Sequence, residues 1–182
     1  MKSLALKFSE VQLIEQVIQQ NRLAQKQLFE HFSPKMLGVC RQYTKNLHDA
    51  EEVMLHAFMK IFQHIGQFNN DGSFEGWIRQ VMIRECISFL RQKKKLAFVD
   101  DINPNLLTKL HSEQDHSEDY QALIDALPNG CKHIFILYVI EGYKHHEISE
   151  MLHISVGTSK SQLAYAKKIL KKHIKNTDDE RF

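Results

Sequence analysis

The chain has few turn-makers: 7 glycines and 3 prolines in 182 residues. That composition disfavours a β-sandwich, a barrel or a Gly-rich nucleotide fold, and it favours a mostly helical chain. Cysteine is scarce too. Cys40, Cys86 and Cys131 lie far apart and form no CxxC pair. They read as reduced thiols of a cytoplasmic protein and not as a disulfide framework. No apolar run approaches the roughly 20 residues of a membrane helix. The opening MKSLALKFSEVQLIEQV has neither an apolar h-region nor a small-residue cleavage site. A soluble, intracellular protein with no membrane insertion is expected. GxxxxGK[ST], GxGxxG and GxSxG are all missing, which removes the common phosphate-cradle and nucleophile-elbow chemistries.

What is present is ordinary in amount and uneven in distribution. Hydrophobic residues at 43% and charged residues at 25% are globular proportions. The formal net charge of +2 conceals a segregation. Residues 1–95 carry 14 Lys/Arg against 9 Asp/Glu, whereas 96–119 carry one Lys against six acids. Residues 120–182 return to 9 against 7. Two basic blocks flanking an acidic stretch predict two domains, 1–95 and 120–175, joined by an acidic linker over 96–119. The tail 176–182 is expected to be disordered. The fold class expected is all-α: two small helical domains, the second containing a helix-turn-helix.

Helical spacing places Val11, Ile14, Val17 and Ile18 on one helix, and Leu28, Phe29 and Phe32 on another. Ser33-Pro34 reads as a fresh helix start. Asp49 reads as an N-cap with Glu51 and Glu52 in the first turn. A stripe through Val53, Met54, Ala57, Phe58, Ile61 and Ile65 follows. NNDGS at 69–73 is a turn, with Ser73 capping a long helix that ends in Arg91-Gln-Lys-Lys-Lys95. In the second block YQALIDAL at 120–127 closes at Pro128-Asn129-Gly130. CKHIFILYVIEG at 131–142 is apolar almost all round and predicts a buried central helix. HHEISEML at 145–152, a turn at 153–155 and a helix from Val156 to about Lys172 complete it.

Eleven histidines invite a metal reading, but no metal or cofactor site is assembled from them. Four residues after His145 stands Ser149, and four after His146 stands Glu150, so the zinc-protease spacing fails. The helix pair at 145–172 fits a helix-turn-helix or an ordinary bundle corner equally well by pattern alone. The second helix decides, because its charged residues Lys160, Lys167, Lys168, Lys171 and Lys172 are all basic. Small polar residues near its start suit an approach to base edges in a major groove. Phe68, Phe74 and Trp77 beside the basic helix end suit unpaired DNA, or else are core.

Taken in order, DAEEVMLHAFMKIF at 49–62, FNNDGSFEGWIRQV at 68–81, LPNGCKHIFILYVIEGYKHHEISEML at 127–152 and ISVGTSKSQLAYAKKIL at 154–170 resemble the extracytoplasmic-function group of bacterial sigma factors. The resemblance covers roughly residues 22–173. It implies a protein without catalytic residues or activity of its own. It also implies core RNA polymerase and promoter DNA as partners, with an anti-sigma factor as a further one. Asp49, Glu51, Glu52, Leu55, His56 and Met59 would face core polymerase. Phe74, Arg79, Arg84, Ser88, Arg91 and Lys94 would face −10 DNA and assist strand opening. Ser155, Gly157, Thr158, Lys160, Ser161 and Tyr165 would read the −35 element.

The chain departs from the family pattern at several positions. Leu55 and His56 stand where Gln and an acid are usual, which removes a polar part of the polymerase-facing surface. Arg84 and Ser88 replace a common Asn and Asp, and Tyr165 a common Arg. His153 occupies a turn position usually held by Gly, where a positive φ is expected. The Leu55/His56 change keeps a second reading open, a stand-alone helix-turn-helix regulator that does not bind polymerase.

Overall fold

The computed structural model describes residues 9–69, 71–96 and 120–179, with the backbone alone at 94–96, 120–122 and 173–179. The expected acidic linker, from residue 97 on, and the last three residues of the expected tail lie outside the described residues. The chain divides into two units, Met1–Lys93 and Lys94–Phe182. Among the described residues the structure is helical throughout, as the shortage of Gly and Pro implies.

The N-terminal unit holds α1 (Glu10–Ile18), α2 (Arg22–Tyr43), α3 (Leu47–His64) followed by a 3₁₀ turn at Ile65–Gln67, and α4 (Phe74–Leu96). Each start is capped by a short polar side chain that satisfies otherwise orphaned N–H groups. Ser9 and Gln12 form a reciprocal capping box on α1. Asn21 Oδ1 accepts from the amides of Leu23 and Ala24. Ser73 Oγ accepts from Gly76 N at 3.0 Å, as the sequence predicts. On α3 the cap is Asn46, three residues before the expected Asp49. Asn46 sits in extended backbone and takes the Asp49 amide at 2.8 Å, so the helix begins a turn early.

Pro34 does not start a helix. It lies inside a continuous α2 of 22 residues. Proline removes one ladder bond and clashes with the preceding turn, at roughly 3 kcal/mol. Packing outweighs that cost here: Leu28, Phe32, Met36, Val39 and Cys40 on both sides of Pro34 are buried along one face. Each such side chain contributes about 1.5–3 kcal/mol on leaving water. The unit's core is made by Leu13, Leu28, Met36, Phe58, Ile61, Phe74, Ile78 and Met82. Val11 and Ile18, expected on the apolar face of α1, are 63% and 50% exposed, because Leu13, Ile14 and Val17 set its buried face instead.

The C-terminal unit holds α5 (Tyr120–Asp125), α6 (Asn129–Phe135) running into a π-helical stretch at Ile136–Ile140, α7 (His145–Leu152) and α8 (Val156–Asp179). Pro128 stands immediately before α6, where a missing N–H costs nothing. Leu127, Cys131, Ala166 and Ile169 form one core cluster, with Phe135 and Leu170 packed against it. The segment 131–142 is buried on one side only. Ile134, Ile136 and Leu137 are core, whereas Tyr138, Val139 and Ile140 are exposed. The wider π turn changes the angular phase of the stretch and carries those three out of the core. α8 also continues past the expected end, so residues 176–179, expected in the disordered tail, are helical. No Pro or Gly follows Gly157 within the helix to stop it.

Candidate functional site

α3 presents two faces of opposite character. Ala50, Val53, Met54, Ala57, Phe58 and Ile61 are buried, and the Phe58 ring meets Phe29 edge-on at 4.8 Å. The outward stripe carries Glu51, Glu52, Leu55, His56 and Met59, all exposed. Leu55 and Met59 are 50% and 59% exposed, so two large apolar groups lie one turn apart on an otherwise polar surface. Apolar side chains paired on a helix face in this way suit burial against another protein. Asp49 is different. It is buried, and its Oδ2 accepts from Lys93 Nζ at 2.6 Å and from Asn46 Nδ2 at 3.1 Å. Its carboxylate is committed inside the unit, which corrects the expectation that it faces outward.

α4 is tied to its neighbours by three lysine–carboxylate bridges. Lys35 of α2 pairs with Glu75 in its first turn. Lys60 of α3 pairs with Glu85 at 2.6 Å, and Lys93 pairs with Asp49. Glu75 and Glu85 are the only acids on α4. Both are answered by cations from other helices, which leaves the charge of α4 itself to its arginines and lysines.

Of the residues expected to face −10 DNA, Arg84 is exposed and Ser88 half-buried. Arg79 and Arg91 are half-buried and engaged with neighbours. Lys94 lies on α4, its side chain outside the described ones. Phe74 is a correction: its ring has no exposed surface. It packs on Phe32 at 5.8 Å and Phe68 at 5.2 Å and stacks on Trp77 at 5.9 Å. The aromatic group at the start of α4 is therefore held together as packing, with Phe68 and Trp77 half-buried at its edge.

In the C-terminal unit α7 and α8 are joined by the short turn expected from the sequence. His153 ends α7 at φ 53°, ψ 48°, the left-handed conformation foreseen for it. Ser155 Oγ accepts from the Thr158 amide at 2.9 Å and also meets Thr158 Oγ1, so both residues serve the start of α8. Ser161 Oγ donates to the Thr158 carbonyl at 3.0 Å. Gly157, Lys160 and Tyr165 are exposed. All six expected −35 residues thus lie at the surface of the first turns of α8 or at its cap.

Sequence reasoning missed the brace behind this surface. Ser159 is fully buried, and its Oγ lies 2.9 Å from His145 Nδ1. The His145 ring stacks on Tyr138 at 4.4 Å, and Lys167 Nζ stands 5.9 Å from the Tyr138 ring centre. The positions 145 and 159 offered no local signal, being fourteen residues apart. Burial pushes the Cys131 thiol up from its ordinary value. The hydrogen bond with Cys40, and then burial, push Cys86 up strongly. All three cysteines are free and buried. Among the described residues no group of three His, Cys, Asp or Glu is arranged to hold a metal ion, and no helix is long and apolar enough to cross a membrane.

Comparison with known protein families matches residues 28–96 to sigma-70 region 2 and residues 117–170 to sigma-70 region 4. The chain belongs to the sigma-70 family. Within it, the chain is a sigma factor of the extracytoplasmic-function group. It is 28% identical over 136 residues to the RNA polymerase sigma factor SigV of Bacillus subtilis, covering 75% of this chain and 82% of that one. It is 22% identical over 178 residues to the ECF RNA polymerase sigma factor SigW of the same organism, covering 90% and 95%. Among solved structures it is similar to the sigma factor RpoE of Bartonella quintana, crystallised with the anti-sigma factor NepR. That match has 18% identity and a TM-score of 0.49, and it covers 82% of this chain and 96% of the other. Region 2 of this sigma factor thus spans α2 to α4, and region 4 spans the helices that carry the His145–Ser159 brace.

Proposed function

We propose a division of labour in which the N-terminal domain engages core polymerase and −10 DNA while the C-terminal domain reads the −35 element. The domains assigned these roles are 1–95 and 120–175, joined by a linker over 96–119. The function itself is that of the family: the chain binds core RNA polymerase and directs promoter-specific initiation of transcription. The observation that carries this reading is the presence, in order, of regions 2 and 4 of one family.

The polymerase contact is assigned to the outward stripe of α3, Glu51, Glu52, Leu55, His56 and Met59. Its support is the exposure of Leu55 and Met59, two large apolar side chains one turn apart on a polar surface. The −10 contact, with strand opening, is assigned to Arg84, Ser88 and Arg91, helped by Arg79 and Lys94. The −35 contact is assigned to Gly157, Thr158, Lys160, Ser161 and Tyr165, with Ser155 as the cap that presents them. Phosphate attraction from the lysines of α8 gives affinity, and the small polar residues approach base edges. The protein performs no catalysis of its own, works in the cytoplasm beside the polymerase, and takes an anti-sigma factor as its controlling partner.

Co-elution with bacterial core RNA polymerase at moderate salt tests the reading. A one-to-one complex is expected. With folded protein and active polymerase, absence of a complex would move the chain to a stand-alone regulator and mark Leu55 and His56 as the cause.

A further inference from the structure

We propose that Asp49 and Lys93 are a positioning pair, which holds the basic end of α4 against the start of α3 and so sets the −10 surface relative to the polymerase-facing one. The inference rests on the sigma-factor reading and adds to it a role for two residues. Asp49 is the third residue of α3, and its side chain is only 12% exposed. The helix dipole favours its charge there. One oxygen, Oδ2, receives both the Lys93 ammonium at 2.6 Å and the Asn46 amide at 3.1 Å. A carboxylate so occupied is a poor contact for an incoming protein.

Lys93 is held from two sides. Besides Asp49, its Nζ stands 4.6 Å from the centre of the Phe89 ring, one turn back on α4. The ammonium points into the unit although half the side chain is exposed. Of the three lysine bridges described on α4, it is the one whose cation comes from α4 itself. The bridges of Lys35 and Lys60 do the reverse, neutralising acids of α4. A helix that binds a polyanion loses a phosphate contact by such an arrangement. What it gains is a fixed approach to α3 at the point where the other two bridges no longer reach, since they engage Glu75 and Glu85. The three contacts together restrain α4 at its start, middle and end.

The test compares wild type, Asp49→Asn, Lys93→Gln, the double variant D49N/K93Q and the charge-swapped D49K/K93D, each as the full chain bound to core polymerase. The probe is a DNA fragment selected from a random-sequence library by the wild-type holoenzyme. Promoter opening, core affinity, melting temperature and the salt dependence of DNA binding are measured for each. Both single variants are expected to open the promoter about tenfold less well, with the double variant no worse than either. The swapped pair regains only part of the lost opening, because a cation at position 49 opposes the α3 dipole and leaves the Asn46 amide without its acceptor. K93Q leaves the salt slope unchanged.

Losses that multiply in the double variant would overturn the proposal. So would a slope reduced by about 0.7–0.9 in K93Q, the mark of a lost phosphate contact. Core affinity lost in D49N but kept in K93Q would return Asp49 to the polymerase surface. Opening unchanged in both single variants would reduce the pair to an ordinary surface bridge. A wild-type chain that forms no complex with polymerase would instead overturn the polymerase-binding reading, and this proposal with it.

Discussion

His145 Nδ1 and Ser159 Oγ stand 2.9 Å apart and bind the first residue of α7 to a fully buried position in the first turn of α8. The crossing of the two helices is thus set by a polar contact as well as by Ile148 and Leu163, which are buried. Replacing Ser159 by Ala leaves the imidazole without that partner. The C-terminal unit should lose about 1–2 kcal/mol, the cost of stranding a polar group at a partly buried site. Denaturant titration checks the size. Duplex binding should fall in parallel while the N-terminal unit melts as before.

Lys160 is exposed on the first turns of α8. Lys160→Ala is expected to weaken −35-dependent transcription and to lower the salt slope of DNA binding by about 0.9, one phosphate contact. Stability should stay within about 0.5 kcal/mol. Loss of polymerase binding in this variant would contradict the division of labour between the units.

Gln20 sits where α1 ends in a six-residue return. Its amide donates to the Val17 carbonyl at 2.9 Å, and the Asn21 amide reaches Gln16 at 3.0 Å. The residue in the middle of that motif takes φ 58°. A left-handed side chain costs about 1–2 kcal/mol, of which the extra freedom of unfolded glycine takes back about half. Gln20→Gly should therefore stabilise the N-terminal unit by about 0.5–1 kcal/mol, read as a raised melting temperature.

Pro34 offers a larger gain. It is exposed within α2, so Ala at this position meets no obstruction and restores a backbone donor. The interior penalty of about 3 kcal/mol is offset in part by the stiffness Pro lends the unfolded chain. A net stabilisation of about 1–2 kcal/mol is expected from Pro34→Ala. A destabilised variant would show that the helix needs a bend there.

Cys86 is held neutral by its hydrogen bond with Cys40 and by burial. Its folded value lies above the ordinary 9.0, so its contribution is fully present below that pH. It is lost as pH rises from there toward the folded value, because the unfolded chain releases its proton first. The N-terminal unit should weaken progressively in alkali above about pH 9, and Cys86→Ala should flatten that decline. At neutral pH the three buried thiols should resist alkylation and react readily only in denaturant, as shielded thiols do.

Most helices were legible from periodicity, and α7 begins and ends where the pattern of 145–152 puts it. Local chemistry identified Ser73 as a cap and His153 as the left-handed residue. The misses share a cause: a local rule met a tertiary force. Pro34 is read as a start by neighbours in sequence, but a continuous buried face carries α2 through it. Asp49 is a good cap by type, yet Asn46 precedes it and Lys93, forty-four residues away, claims its charge. Phe74 suits a stacking role by composition, and only packing against Phe32 and Phe68 reveals it as core. The exposed stripe of α3 was visible as the complement of its apolar one, whereas the His145–Ser159 brace needed the fold to bring its ends together.

The neutralised acids of α4 carry a consequence for how this protein tolerates change. Lys35 and Lys60 belong to helices that are assigned no DNA, yet each hides a negative group on the helix that is. Losing either lysine would uncover a carboxylate beside the arginines and repel the promoter from a distance. Sensitivity to substitution should consequently spread beyond the contact residues, and a neutral drift at position 35 or 60 would have to be matched at 75 or 85. Those four positions form two linked pairs through which DNA affinity can be tuned without altering any base-reading side chain.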